Sequence, residues 1–108
     1  MSGISTHVLD LALGKPAFNV PVRLERFEFG AWVEAASRYT TIDGRCDELL
    51  PPNAVNPGSY RLIFNTAVYQ DSTLYPEVII SFSVSPGIVN YHLPLLLSPH
   101  GYTTYRGS

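Results

Sequence analysis

The sequence predicts an all-β domain: a two-sheet β-sandwich of seven to eight short strands with one short helix. Two observations predict it. Nine prolines and eight glycines are scattered along 108 residues and cut the chain into short segments. Between these breaks, apolar and polar residues alternate with the period of a strand that buries one face. Short strands at this spacing pack as two layers around one core.

The first strand is "STHVLDLA", and "GKPA" turns the chain. In "VPVRLERFE", Val20, Val22 and Leu24 alternate with Pro21, Arg23 and Glu25, as a half-buried strand requires. The alanines and Glu34 of "AWVEAASRYT" would suit a helix. Trp32, Val33, Tyr39 and Thr40 favour a strand, and "FGAW" reads as the turn before it. "DGRCDELLPPNAVNPG" reads as mostly loop, with room for no more than a short strand. "SYRLIFNT" puts Tyr60, Leu62 and Phe64 on one face. "AVYQDS" is the short helix, capped by Asn65 or Thr66. "EVIISFSV" places Val78, Ile80, Phe82 and Val84 on one face and Ile79, Ser81 and Ser83 on the other. "PGI" turns into "VNYHLPLLLS", and "GYTTYRGS" reads as a last strand reaching the final residue. Pro94 has no N–H to give a ladder, so its strand is an edge there, bulges, or ends its pairing. A bulge would re-aim a side chain beside a functional site, and His92 lies two residues earlier.

Composition narrows the function. The chain is 45% hydrophobic and 15% charged, too apolar for disorder and lightly enough charged to point to buried contacts between subunits. The formal net charge is −2 and Lys15 is the only lysine. No basic cluster exists, which argues against nucleic acid or a membrane surface as partner. "MSGISTHVLD" has neither the basic start nor the apolar run of a secretory signal, so the expected location is cytoplasmic. Cys46 is the only cysteine, so no intrachain disulfide is expected. The expected unit is one domain over residues 1–108.

A few residues carry possible chemistry. His7 and His92 both lie in strands, His92 on the face of Pro94. Each reads either as a structural histidine bonded to backbone or as a neutral imidazole able to act as a base near pH 7. With a converging arginine the pair would make a hydrolytic site that needs no metal. Arg45, after a turn glycine, and Arg106, third from the end, are either solvated or such site arginines. His100 sits in the turn "SPHGY" and reads as exposed. Cys46 has no cysteine-hydrolase signature around it. "CDELLPPN" offers no second strong zinc ligand, and there is no phosphate loop, dinucleotide glycine pattern or Gly-x-Ser-x-Gly elbow. No metal and no cofactor are expected.

From "STHVLDLALGKPA" through "TTIDGRC", "YRLIFNT" and "YPEVIISF" to "YHLPLLLSPHGYTTYRGS", nearly the whole chain resembles the 5-hydroxyisourate hydrolases of the transthyretin-related family. The closing "YRGS" is the most specific of these marks. The resemblance implies a transthyretin-like, Ig-like sandwich and hydrolysis of 5-hydroxyisourate in urate and purine degradation. It also implies a homotetramer with active sites at the dimer–dimer interface. It implies that His7, Arg45 and His92 are catalytic, and that they bind substrate together with Tyr105, Arg106, Gly107 and Ser108. Departures from the family pattern are mild: Leu93 for a frequent valine, Thr103 for a serine, His100 for an aromatic residue. A transthyretin-like carrier of a small aromatic ligand is the alternative. The resemblance implies that such carriers lack the histidine at position 92 and the "YRGS" end.

Overall fold

The computed structural model describes residues 3–107; Met1, Ser2 and Ser108 lie outside it. Period-two burial builds both sheets. One sheet is formed by β1 (Ile4–Asp10), β2 (Lys15–Pro16), β5 (Arg45–Leu50), β8 (Tyr91–Ser98) and β9 (Gly101–Thr104). The other is formed by β3 (Pro21–Glu28), β4 (Ala31–Tyr39), β6 (Gly58–Phe64) and β7 (Val78–Val84), in the order β4-β3-β6-β7 with antiparallel neighbours throughout. Eight of these strands have four residues or more, which matches the expected count.

In the first sheet, β1 and β8 run parallel over seven residue pairs, from Ile4 opposite Tyr91 to Asp10 opposite Leu97. β9 folds back on the far side of β8. The other edge of β1 is shared by β5, which meets Ile4 to His7, and by the short β2, which meets Leu9 and Asp10. The core lies between the sheets. Ile4, Val8, Leu93, Leu95 and Leu97 enter it from one side, and Val22, Leu24, Leu62, Phe64 and Val78 from the other. Tyr60 is buried there too, and its hydroxyl escapes the desolvation penalty by donating to the Asn56 carbonyl. In β7 the expected faces hold: Val78 and Val84 are buried, while Ile79, Ser81 and Ser83 are exposed.

Some sequence expectations need correction. "RCDELL" is a six-residue strand, not mostly loop. Its alternation is blurred because Glu48 adopts a left-handed φ of 53° and the pairing with β1 shifts register between Ile4 and Thr6. "KP" pairs with β1, and the chain reverses one step earlier, at Leu11–Gly14. The helix (α1, Thr66–Tyr69) has Asn65 at its cap position, but no side chain caps it. The Thr66 hydroxyl donates instead to the Tyr75 carbonyl. The last strand stops at Thr104 rather than running to the end. Pro94 explains this, because it has no N–H for the ladder. Its carbonyl still accepts from the Thr104 hydroxyl at 2.8 Å. Three residues beyond Leu95 and Thr104, the last pair of the ladder, pairing resumes as a single bridge between His92 and Gly107. Of the outcomes the proline allowed, interrupted pairing is the one observed.

Candidate active site

Alternation along β1 and β8 decides which side chains leave the core. Ile4, Thr6 and Val8 point inward, as do Tyr91, Leu93 and Leu95. Ser5 and His7, and His92 and Pro94, therefore stand on the outer face of the sheet. The parallel register sets Ser5 beside His92 and His7 beside Pro94. On the other flank of β1, His7 is directly opposite Arg45. Three adjacent strands thus bring His92, His7 and Arg45 onto one surface.

The turn before Arg45 supports His7. The Gly44 N–H donates to the Thr41 carbonyl at 2.8 Å, and Gly44 takes a left-handed φ of 78°. The Val8 N–H donates to the Gly44 carbonyl at 2.7 Å, and a Cβ at position 44 would sit 2.4 Å from the Val8 oxygen. Glycine is required there both for the backbone angle and for space. The turn presents the Asp43 carbonyl 2.8 Å from His7 Nε2. A carbonyl only accepts, so His7 Nε2 carries a proton and donates it, leaving Nδ1 as the free nitrogen.

His92 is held at both edges of its ring. Nδ1 lies 2.8 Å from the Ser5 hydroxyl. On the other edge runs the tail, where the Gly107 N–H donates to the His92 carbonyl at 2.7 Å. A Cβ at Gly107 would come within 2.7 Å of His92 Cδ2 and 3.3 Å of Pro94 Cγ, so only glycine lets the tail lie this close. Burial, then the positive charge of Arg45, then His7, push the His92 pKa below that of free imidazole, with Asp47 opposing them. His92 is consequently neutral at pH 7. A neutral imidazole beside a guanidinium is suited to taking a proton from water while the cation steadies developing negative charge.

The other sequence-singled residues separate. Tyr105 is half exposed beside the cluster's strand. Arg106 turns away. Its guanidinium stacks 4.7 Å from the ring centroid of the core-facing Tyr91 and donates to the Asn90 carbonyl at 3.1 Å. Ser108 lies outside the described residues. His100 is exposed in the β8–β9 turn, away from the other histidines. Cys46 faces the core, 4% exposed, and burial pushes its thiol up to about 11, so it is no nucleophile at neutral pH. Among the described residues, no three His, Cys, Asp or Glu side chains gather as metal ligands. A cavity of about 620 Å³ lined by Asp10, Leu13, Phe18, Ile42 and Tyr69 contains none of the cluster. Sequence reasoning missed two contributors, the Ser5 hydroxyl and the Asp43 carbonyl. Ser5 had a faint signal, standing two residues before His7 and so on the same face of β1. A backbone carbonyl had none.

A family model described as HIUase/Transthyretin matches residues 4–107. The chain belongs to the HIUase/Transthyretin family. Within it, the 5-hydroxyisourate hydrolase of Mus musculus is 44% identical over 113 residues, covering 99% of this chain and 96% of that one. The solved structure of Klebsiella pneumoniae 5-hydroxyisourate hydrolase superposes with a TM-score of 0.84 at 32% identity, with both chains fully covered. Sea bream transthyretin in complex with thyroxine superposes at 0.91 with 28% identity, covering 97% of this chain and 94% of that one. The family's fold is thus shared by hydrolases and by a thyroxine-binding protein, and the outer-face side chains must decide between them.

Gly44→Ala tests the turn. The left-handed φ and the clash with Val8 predict a loss of at least about 1–3 kcal/mol in folding stability, read by denaturant unfolding. Gly14→Ala also has a positive φ but meets nothing within 4 Å, and it is expected to cost less.

Proposed function

We propose that the protein is an enzyme, a 5-hydroxyisourate hydrolase. The observation that carries this reading is the placement of His92 beside Arg45 and His7 on one sheet face, with Gly107 packed against its ring. It is supported by 44% identity to a hydrolase along nearly the whole chain. The likeness to sea bream transthyretin rests on the fold, which alone does not assign a function.

The reaction opens the six-membered ring of 5-hydroxyisourate to 2-oxo-4-hydroxy-4-carboxy-5-ureidoimidazoline. His92 Nε2 takes a proton from water, and the oxygen attacks the ring acyl carbon. Arg45 stabilises the negative charge that develops on the carbonyl oxygen. When the carbon–nitrogen bond breaks, the imidazolium returns its proton to the departing nitrogen. The acyl carbon becomes the carboxyl and the nitrogen becomes part of the ureido group. His7, held by Asp43, offers Nδ1 as an acceptor for a substrate N–H. Tyr105 and Gly107 complete the binding surface, to which the family resemblance adds Ser108. None of these steps calls for a metal or a cofactor.

The cluster lies on an open sheet face, and the β1–β2 turn beside it exposes Leu11 and Leu13. A second copy covering this face would exclude water and bury those leucines. A covered face fits the homotetramer with sites between dimers that the family resemblance implies, and we propose that assembly as the active form. Arg106, which the resemblance implies as a substrate-binding residue, rests on Tyr91 within the chain.

Purified protein is expected to accelerate the ultraviolet decay of freshly made 5-hydroxyisourate. His92→Ala and His7→Ala should each lower turnover by roughly 10²–10⁴, and His100→Ala far less. An unchanged decay rate with wild-type protein rejects the enzyme reading.

The acid limb of kcat/KM reports protonation of the base. Imidazolium is disfavoured in the fold, so activity should persist below the pH of about 6.5 at which a free histidine protonates. Arg45→Gln lowers the rate, but it should also move the midpoint of the limb upward, because a cation that opposed protonation is gone. A downward move would place the base elsewhere.

Deleting residues 105–108 removes the bridge between Gly107 and His92. Turnover should be lost while size in solution stays tetrameric. Dissociation to monomers would make the tail an interface element first.

A further inference from the structure

We propose that Ser5 is a positioning residue for His92, fixing both the orientation of its ring and the nitrogen that carries its proton. The inference rests on the reading of His92 as general base.

The argument starts from the register. Ser5 and His92 are directly paired across β1 and β8, so their side chains are neighbours on the outer face. Ser5 is only 7% exposed, and its Oγ is 2.8 Å from His92 Nδ1. Nδ1 and Cδ2 are the two ring atoms next to Cγ, on opposite edges. Ser5 from β1 takes the Nδ1 edge. The Gly107 backbone closes on the Cδ2 edge, leaving no room for even a Cβ. A half-turn of the ring would place a carbon on the Ser5 hydroxyl and lose the hydrogen bond. The ring is therefore clamped between β1 on one edge and the tail on the other, with Nε2 projecting from the sheet.

The proton follows from the chemistry. With Nδ1 occupied, Nε2 is the nitrogen left to act on water, and as a base it must carry the lone pair. Nδ1 then carries the proton and donates it to Ser5 Oγ, which accepts it. When Nε2 gains the water's proton, Nδ1–H stays where it is and Ser5 remains its acceptor. No proton moves through Ser5 at any step. A carboxylate in this place would both orient the imidazole and stabilise its charged form. A hydroxyl orients without adding negative charge. That fits a site where Arg45 already opposes imidazolium and the proton must be handed on to the leaving nitrogen.

The test begins with wild-type protein and needs no variant. Nitrogen-15 NMR of the histidine rings near pH 8 should show His92 protonated at Nδ1 and bare at Nε2. The reverse tautomer overturns the proposal, whether or not the protein hydrolyses the substrate. In Ser5→Ala the tautomer should become mixed and kcat should fall about 10–100-fold, part of the roughly 10²–10⁴ that general-base catalysis provides. KM should change little. Ser5→Thr, which restores a hydroxyl, should recover most of kcat. A Ser5→Ala enzyme with unchanged kcat and tautomer overturns the proposal, as does a loss that appears in KM alone. Failure of wild-type protein to hydrolyse 5-hydroxyisourate would reject the general-base reading, while the NMR tautomer still reports on the Ser5–His92 pair.

Discussion

The parallel pairing of β1 with β8 is the contact on which the rest depends. It joins residues 4–10 to residues 91–97, segments near opposite ends of the chain. The entropy of closing so long a loop grows only logarithmically with its length, and seven consecutive pairs with a shared apolar face offset it. Every other strand of that sheet hangs on one member of this pair: β2 and β5 on β1, and β9 on β8. The same pairing aligns Ser5 with His92, so the register that closes the core also builds the site. A slip of either strand by one residue would send its histidine into the core and its valine or leucines out.

The side chains of the proposed site sit on strands and not on loops. Strand positions are precise because each side chain inherits its place from ladder hydrogen bonds on both sides. The loops contribute where a backbone group is needed, as in the turn that presents the Asp43 carbonyl to His7. The tail contributes through an absent side chain, since Gly107 can lie against His92 only because it has no Cβ. Burial and Arg45 then set the protonation state. Geometry and electrostatics converge on one held imidazole whose neutral form is favoured.

The family shows how little of this the fold itself determines. The chain superposes on a thyroxine-bound transthyretin at least as well as on a hydrolase. The sandwich is a scaffold whose inner face is committed to packing, while its outer face is free to vary. Function follows from a few outward side chains at alternating positions.

The sequence by itself determined the strands whose alternation is clean, such as β3, β6 and β7, because a half-buried strand must repeat with period two. It also marked His7, Arg45, His92 and Gly107 as residues of interest. It hid β5, whose pattern is disturbed by the left-handed Glu48 and a register shift. It read the tail as a continuous strand, because the gap that Pro94 leaves in the ladder can be placed only once the partner strand is known. The contacts of Ser5 with His92 and of the Asp43 carbonyl with His7 were decided by the tertiary structure. Both depend on pairing between segments far apart in the chain, and local pattern carries no record of which distant strand lies alongside. Arg106 likewise reads as a site residue, yet within the chain it rests on Tyr91. Side-chain direction at a chain end is decided by the neighbour it meets, not by its own spacing.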